Sequence, residues 1–346
     1  MTTIQKEKFR KQGLHFSYKM KATGTLAGVF LILTAATNAQ TQSTQSSPRQ
    51  MVDALHSAFG KHPDARAVHA KGLILEGNFS PDPMAKSITQ AAPFIGKTIP
   101  VTFRFSDFTG IPDIPDTIGA SNPRGLAIKF HLPDNTSMDI VSHSFNGFPV
   151  STTDEFRTFL LAISKSGPQA AHPSPIEQFL GSHPIAKSFV TSQKPPSVSY
   201  ATLSYFGVNA FKFKGKNNAV TYIRYQFIPV NGEEFLSPEQ VKNAGPDYLS
   251  KEIVKRIADG PIAYKMYAQI SEAGDKIGDP GIAWPASRKL VLLGILTINQ
   301  VADNTMAQDK AMIFNPGNLP VGIEIADQML KDRQQAYPIS VAERRK

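Results

Sequence analysis

The chain has 346 residues, 41% of them hydrophobic and 19% charged, with 26 prolines and 24 glycines. That is enough apolar material for a large core that needs no covalent staples. Cysteine is absent, which excludes disulfides, thiolate metal sites and a cysteine nucleophile together. The net charge of +9 does not argue for nucleic acid, because Lys6, Lys8, Arg10, Lys11, Lys19 and Lys21 against Glu7 put more than half of it in residues 1–39.

Those first residues have the layout of an export signal. A basic region ends at Lys21, an apolar run covers Leu26 to Thr34, and small residues lead to Thr37 and Ala39. The run is too short to span a bilayer, so removal of residues 1–39 and a periplasmic destination are expected, with no stable membrane insertion afterwards. An uncleaved anchor is the alternative. Residues 40–50, "QTQSTQSSPRQ", are polar and read as a flexible leader, and residues 51–346 as one domain.

"MVDALHSAFGKHP" predicts a helix ending at Gly60. "TIPVTFRFSDF" alternates strictly, with Val101, Phe103 and Phe105 on one face and Thr102, Arg104 and Ser106 on the other. "GLAIKFHL" and "SMDIVSHS" are further strands. "DEFRTFLLAISKS" and "SPIEQFLGSHP" are helical. "SYATLSYFGVNAFKFK" and "NAVTYIRYQFIPV" are aromatic and β-branched, joined by a Gly-Lys-Asn-Asn turn. Two helices follow in "LSPEQVKNAG" and "DYLSKEIVKRIADG", then strands in "AYKMYAQIS" and "KLVLLGILTINQ", and a terminal helix in "IADQMLKDRQQAY". The expected class is α+β, with an antiparallel β-barrel core and peripheral helices.

The chemistry-bearing residues are few. His69, among the small and apolar residues of "ARAVHAKGLILEGNF", is either a packed core histidine or a site residue. Arg104 and Ser106 share a polar strand face that meets either solvent or a polar site. Arg124 and Asn146 lie in loops beside apolar strands, as turn residues or as site residues. At the end of the chain Arg333 and Tyr337 are one helical turn apart.

Taken in order, "RAVHAKG", "VTFRFSDFTG", "NPRGLAIKF", "DIVSHSFNGFP", "FNPGNLPVGIE" and "DQMLKDRQQAYP" resemble the haem catalase family, in its small, single-domain, secreted branch of catalase-related peroxidases. The resemblance runs from about Arg66 to Arg344. It implies a haem cofactor, haem b by family habit, with Tyr337 as axial ligand to the iron and Arg333 beside it. A phenol ionises near pH 10 in water, and an adjacent guanidinium favours the anion. It implies His69 as the distal acid–base group, Ser106 as its hydrogen-bond partner and Asn146 as a donor to the peroxide. Arg66, Arg104 and Arg344 fall where arginines meet the haem propionates. Phe159 falls where a phenylalanine packs on the haem, with Phe156 as its neighbour in the same helix.

The chain departs from the family pattern after Val141, where "SHSF" replaces a shorter link. His143 is therefore extra and is expected on the surface. The long N-terminal arm and following domains of larger catalases have no counterpart here, which predicts a monomer or simple homo-oligomer and an open route to the haem. The resemblance implies a haem peroxidase that reduces hydrogen peroxide or organic hydroperoxides through a ferryl species, with a small organic electron donor. True catalase turnover is the alternative. A non-catalytic haem carrier and an allene-oxide-synthase-like rearrangement are more distant. No nicotinamide site is carried over.

Overall fold

The computed structural model describes residues 45–345, so the expected signal segment, residues 1–39, lies outside the described residues. Ten strands make one sheet: β1 (Gly72–Pro81), β2 (Ile99–Ser106), β3 (Gly125–His131), β4 (Ser137–His143), β5 (Tyr205–Phe206), β6 (Phe211–Lys214), β7 (Val220–Pro229), β8 (Ile262–Ile270), β9 (Leu290–Val301) and β10 (Ile323–Ile325). Their order is β10-β6-β7-β5-β4-β3-β2-β1-β9-β8, and a further β7–β8 pairing closes eight of them into an antiparallel barrel. Closure leaves those strands without a free edge. β6 and β10 extend the sheet beside β7.

Side-chain alternation decides what faces the barrel interior. Val101, Phe103 and Phe105 of β2 point inward with Leu126, Ile128 and Phe130 of β3 and Met138 and Ile140 of β4, all buried in one cluster. Tyr200, Tyr205, Phe227, Tyr264, Leu296 and Ile298 join them. Phe105 stacks on Tyr200 at 5.4 Å, and Phe79 meets Phe130 edge to face at 5.3 Å. Each such ring contributes about 1.5–3 kcal/mol by leaving water.

The outer face of β2–β4 carries Arg104 and Ser106, then Gly125 and Ala127, then Val141 and His143. It is covered rather than solvated. The helix Pro48–Phe59 packs on the helix Thr153–Ser164, with Met51, Val52, Leu55 and Leu160 buried together. Thr152 and Glu155 cap the second helix reciprocally. Phe148, Phe159, Phe179 and Val208 form a second outer cluster with the helices Pro175–Ser182 and Pro184–Thr191.

The turn at Gly215–Asn218 takes the expected hairpin form, with Asn217 and Asn218 at φ of 55° and 58°. The expected strand over "SYATLSYF" is mostly a 3₁₀ turn, Tyr200–Thr202, before the two residues of β5. Tyr200 is turned inward there, and its hydroxyl donates to Asp107 at 2.9 Å. The terminal helix is two pieces, Gln328–Arg333 and Ala336–Arg344. Gln334 and Gln335 between them stay in right-handed helical geometry, so the one-turn spacing of Arg333 and Tyr337 survives the break.

Candidate active site

A cavity opens between the outer face of β2–β4 and the C-terminal helices. Val68, Leu126, Val141, Phe148, Phe206 and Phe314 give it apolar walls, and most of the polar groups gather in three places.

The first is His69. Its backbone is left-handed, φ 56°, held by His69 N–H to Phe108 O at 2.9 Å and Ala70 N–H to Thr109 O at 2.8 Å. The ring meets Phe108 edge-on at 5.6 Å, and Nδ1 lies 3.1 Å from Ser106 Oγ. Gly125, paired directly with Ser106 across β2–β3, makes room for both. A Cβ there would sit 2.4 Å from Ser106 Oγ and 2.8 Å from His69 Nδ1. Burial, the Arg104 guanidinium and His143 push the His69 imidazole down to about 3, so it is neutral at ordinary pH.

The second is the pair near the end of the chain. Arg333 Nη2 donates to Tyr337 Oη at 2.9 Å, and Arg333 Nη1 to Asn209 Oδ1 at 3.1 Å. Asn209 is fixed in turn by donating to Asp327 at 3.0 Å, whose carboxylate also accepts from Ala210 N and caps the following helix at Leu330 N. The guanidinium is thus oriented from behind while it faces the phenol.

The third is a cluster of arginines. Arg66 Nη2 and Arg104 Nε reach Asp309 Oδ1 at 2.8 and 2.5 Å, and Arg104 Nη2 reaches Oδ2 at 2.9 Å. Arg344 Nε donates to Lys310 O at 2.9 Å and its Nη2 to Met312 O. Three guanidiniums face one carboxylate, so two positive charges are uncompensated. Burial and then Arg104 lower Arg66 to about 9. Burial also lowers Arg344 to about 10, against the pull of Asp309. Against burial, Arg104 and Arg66 hold the Asp309 carboxyl well below the usual carboxylate range. A ligand carrying two carboxylates and a flat apolar body fits this balance of charge and lining.

The sequence-expected residues divide clearly. His69, Ser106, Arg66, Arg104, Arg333, Tyr337 and Arg344 all line the cavity. Asn146 does not: β4 ends at His143, and Asn146 is half-buried in the bend that follows. Phe159 does not either. It is buried against Phe179 at 5.6 Å, and Phe156, one turn earlier, reaches the cavity. His143, expected on the surface, is 8% exposed and lines the cavity, because it ends β4 on the covered outer face. The strand alternation of "SMDIVSH" already puts it on the face of Asp139 and Val141. Asn209 and Asp309 went unread in the sequence; the only trace of Asn209 was an amide inside the aromatic run "YFGVNAFKF". Arg124 is a buried anchor rather than a site group: it pairs with Asp107 and donates to the backbone oxygens of Ser121 and Asp116.

A family model for catalase matches residues 41–345. The chain is 33% identical over 308 residues to a catalase-related peroxidase of Synechococcus elongatus, covering 87% of this chain and 90% of that one. It is 31% identical over 299 residues to a catalase-related peroxidase of Mycolicibacterium paratuberculosis, with 85% and 94% covered. Among solved structures it is similar to a fungal catalase, with a TM-score of 0.73 at 23% identity over 82% of this chain and 60% of that one. Catalase A of Saccharomyces cerevisiae gives 0.73 at 22% identity over 82% and 62%. At such identities the structures establish the shared barrel. The sequence matches go further: this chain belongs to the catalase family.

Proposed function

We propose that this protein is a haem peroxidase, reducing hydrogen peroxide and organic hydroperoxides at the expense of a small organic donor. The observation that carries the reading is one cavity that joins the His69–Ser106 pair to the Tyr337–Arg333 pair. In this reading Tyr337 would hold the iron through its phenol oxygen, and Arg333, already bonded to that oxygen, would offset the charge. Arg66, Arg104 and Arg344 would hold the two propionates of haem b. Haem, when bound, supplies the redox chemistry: the two electrons that reduce the peroxide and are later replaced by the donor.

The protein's own part is proton handling. With Nδ1 taken as the donor to Ser106 Oγ, Nε2 is the acceptor nitrogen of His69, on a side chain that lines the cavity. It accepts the proton of the peroxide's inner oxygen and returns it to the outer one as the O–O bond breaks, so the leaving group departs as an alcohol or water rather than an anion. A histidine neutral down to about pH 3 is available for this at any ordinary pH.

The catalase-related peroxidases that match almost end to end support a peroxidase over a catalase. Haem-loaded protein should oxidise a dye donor with both hydrogen peroxide and an alkyl hydroperoxide while releasing little oxygen. Vigorous oxygen release with no response to the alkyl hydroperoxide would make it a catalase. We further propose export to the periplasm, supported by the basic, apolar and small-residue order of residues 1–39. N-terminal sequencing of the protein from cell fractions tests that.

A further inference from the structure

Ser106, Gly125 and His143 stand in direct register on β2, β3 and β4, so their side-chain positions share one face of the sheet. Gly125 puts no side chain there, and the His69 ring occupies the gap: a Cβ at 125 would lie 2.8 Å from its Nδ1 and 2.9 Å from its Cε1. The imidazole of His69 therefore stands between Ser106 on one neighbouring strand and His143 on the other. Ser106 engages Nδ1.

His143 has no such partner. Its ring is packed by Phe148 at 6.4 Å and Phe189 at 6.2 Å, and it lines the same cavity as His69. Nδ1 accepts from Phe145 N–H at 3.4 Å. An imidazole that accepts at Nδ1 carries its proton on Nε2. That Nε2 is buried and has no hydrogen-bond partner among the described residues. Of the buried side-chain atoms without a partner among the described residues, it alone belongs to a residue that lines the cavity, where a ligand can supply the acceptor.

We infer that His143 is the second polar group of the peroxide site, donating from Nε2 to a peroxide oxygen held beside His69. The inference rests on the haem peroxidase reading. It gives His143 the part that family resemblance assigned to Asn146, which lies outside the cavity lining. Burial, with Arg333 adding to it, pushes His143 down to about 3. The ring is thus neutral, keeps one acceptor and one donor, and places no second positive charge beside His69 as that group takes up a proton.

The test uses the full haem-loaded chain. His143→Phe removes the donor and preserves the aromatic packing; His143→Gln keeps a terminal N–H. Two readouts are compared: the affinity of the ferric protein for fluoride, a small anion that accepts hydrogen bonds, and the single-turnover rate with hydrogen peroxide. His143→Phe should weaken fluoride about tenfold and slow peroxide cleavage about a hundredfold. His143→Gln and Asn146→Ala should each stay within about threefold of the parent on both readouts. If His143→Phe fails to fold, His143→Ala is read in the same way. Parent-like fluoride affinity and peroxide rate in the donor-free variant overturn the inference. So do losses in Asn146→Ala that His143→Phe does not share. A parent chain that binds no haem overturns the haem reading itself, and is seen first, in the haem titration.

Discussion

Gly125→Ala perturbs the candidate site with one methyl group. The new Cβ would stand 2.4 Å from Ser106 Oγ and 2.8 Å from His69 Nδ1. Unstrained contacts of this kind are about 3.5 Å, so the hydroxyl must retreat by about 1 Å and the imidazole by roughly half that or more. Gly125 sits in an ordinary strand register, so the effect is steric rather than conformational. Overpacking of this kind costs about 1–3 kcal/mol, and the lost Ser106–His69 hydrogen bond adds about 0.5–1.5 kcal/mol. Ser106 can swing away, but His69 is held by backbone bonds at its own N–H and at that of Ala70, and by Phe108 at its edge. The ring will tilt instead. A displacement near 1 Å of a proton-moving group costs about a hundredfold in rate. Haem titration should show unchanged loading, because Tyr337 and the arginines are untouched. The melting temperature should fall by about 2–4 °C per kcal/mol lost. Stopped-flow mixing with hydrogen peroxide should show the hundredfold loss. A parent-like peroxide rate in a variant with the expected lower melting temperature would refute the placement of proton transfer on His69.

Three further outcomes follow from the same geometry. Tyr337→Phe should abolish axial oxygen ligation while leaving the apoprotein stable to within about 1 kcal/mol; the visible spectrum of the reconstituted protein and a thermal melt check it. Arg124→Ala leaves the buried Asp107 carboxylate unpaired and should cost about 3–5 kcal/mol in chemical denaturation, with little effect on the cavity itself. Acid should destabilise the apoprotein. His69 and His143 titrate near 3 when folded against 6.5 for a free histidine, so the unfolded chain binds more protons between those values. Their neutral forms impose no penalty above about pH 6.5, and stability falls as pH drops from there toward 3. Asp309, held below the ordinary carboxylate range, contributes stability above its unfolded value of 3.8 that is lost on further acidification. Melts of His69→Gln/His143→Gln should show a shallower decline between pH 6.5 and 4 than the parent; an identical slope would contradict the assigned burial.

Local physics was legible in the sequence. Alternation over 98–108 fixed which β2 residues enter the barrel, because successive side chains must leave a strand on opposite sides. Gly60 ended the first helix as expected, but the helix begins at Pro48, capped by Ser47, inside the stretch read as a flexible leader. The four-residue step from Arg333 to Tyr337 set a guanidinium on a phenol even where the helix breaks between them. Order and spacing of short motifs then pointed to the family.

What alternation left open was what each strand face would meet. Arg104, Ser106 and His143 read equally well as solvated strand residues. They became cavity groups because Arg66, Asp309 and the helices ending in Arg344 fold over that face from far along the chain. The same packing put His143 inside and Asn146 outside, chose Phe156 over Phe159, and brought Asn209 behind Arg333. A residue's side of a strand or helix is fixed by its own covalent geometry, but what covers that side depends on segments as distant as Asp309 is from Arg104, 205 residues along the chain. Most elements, the faces they present and the family thus follow from local covalent geometry and motif order, whereas the face that encloses the site follows from long-range packing.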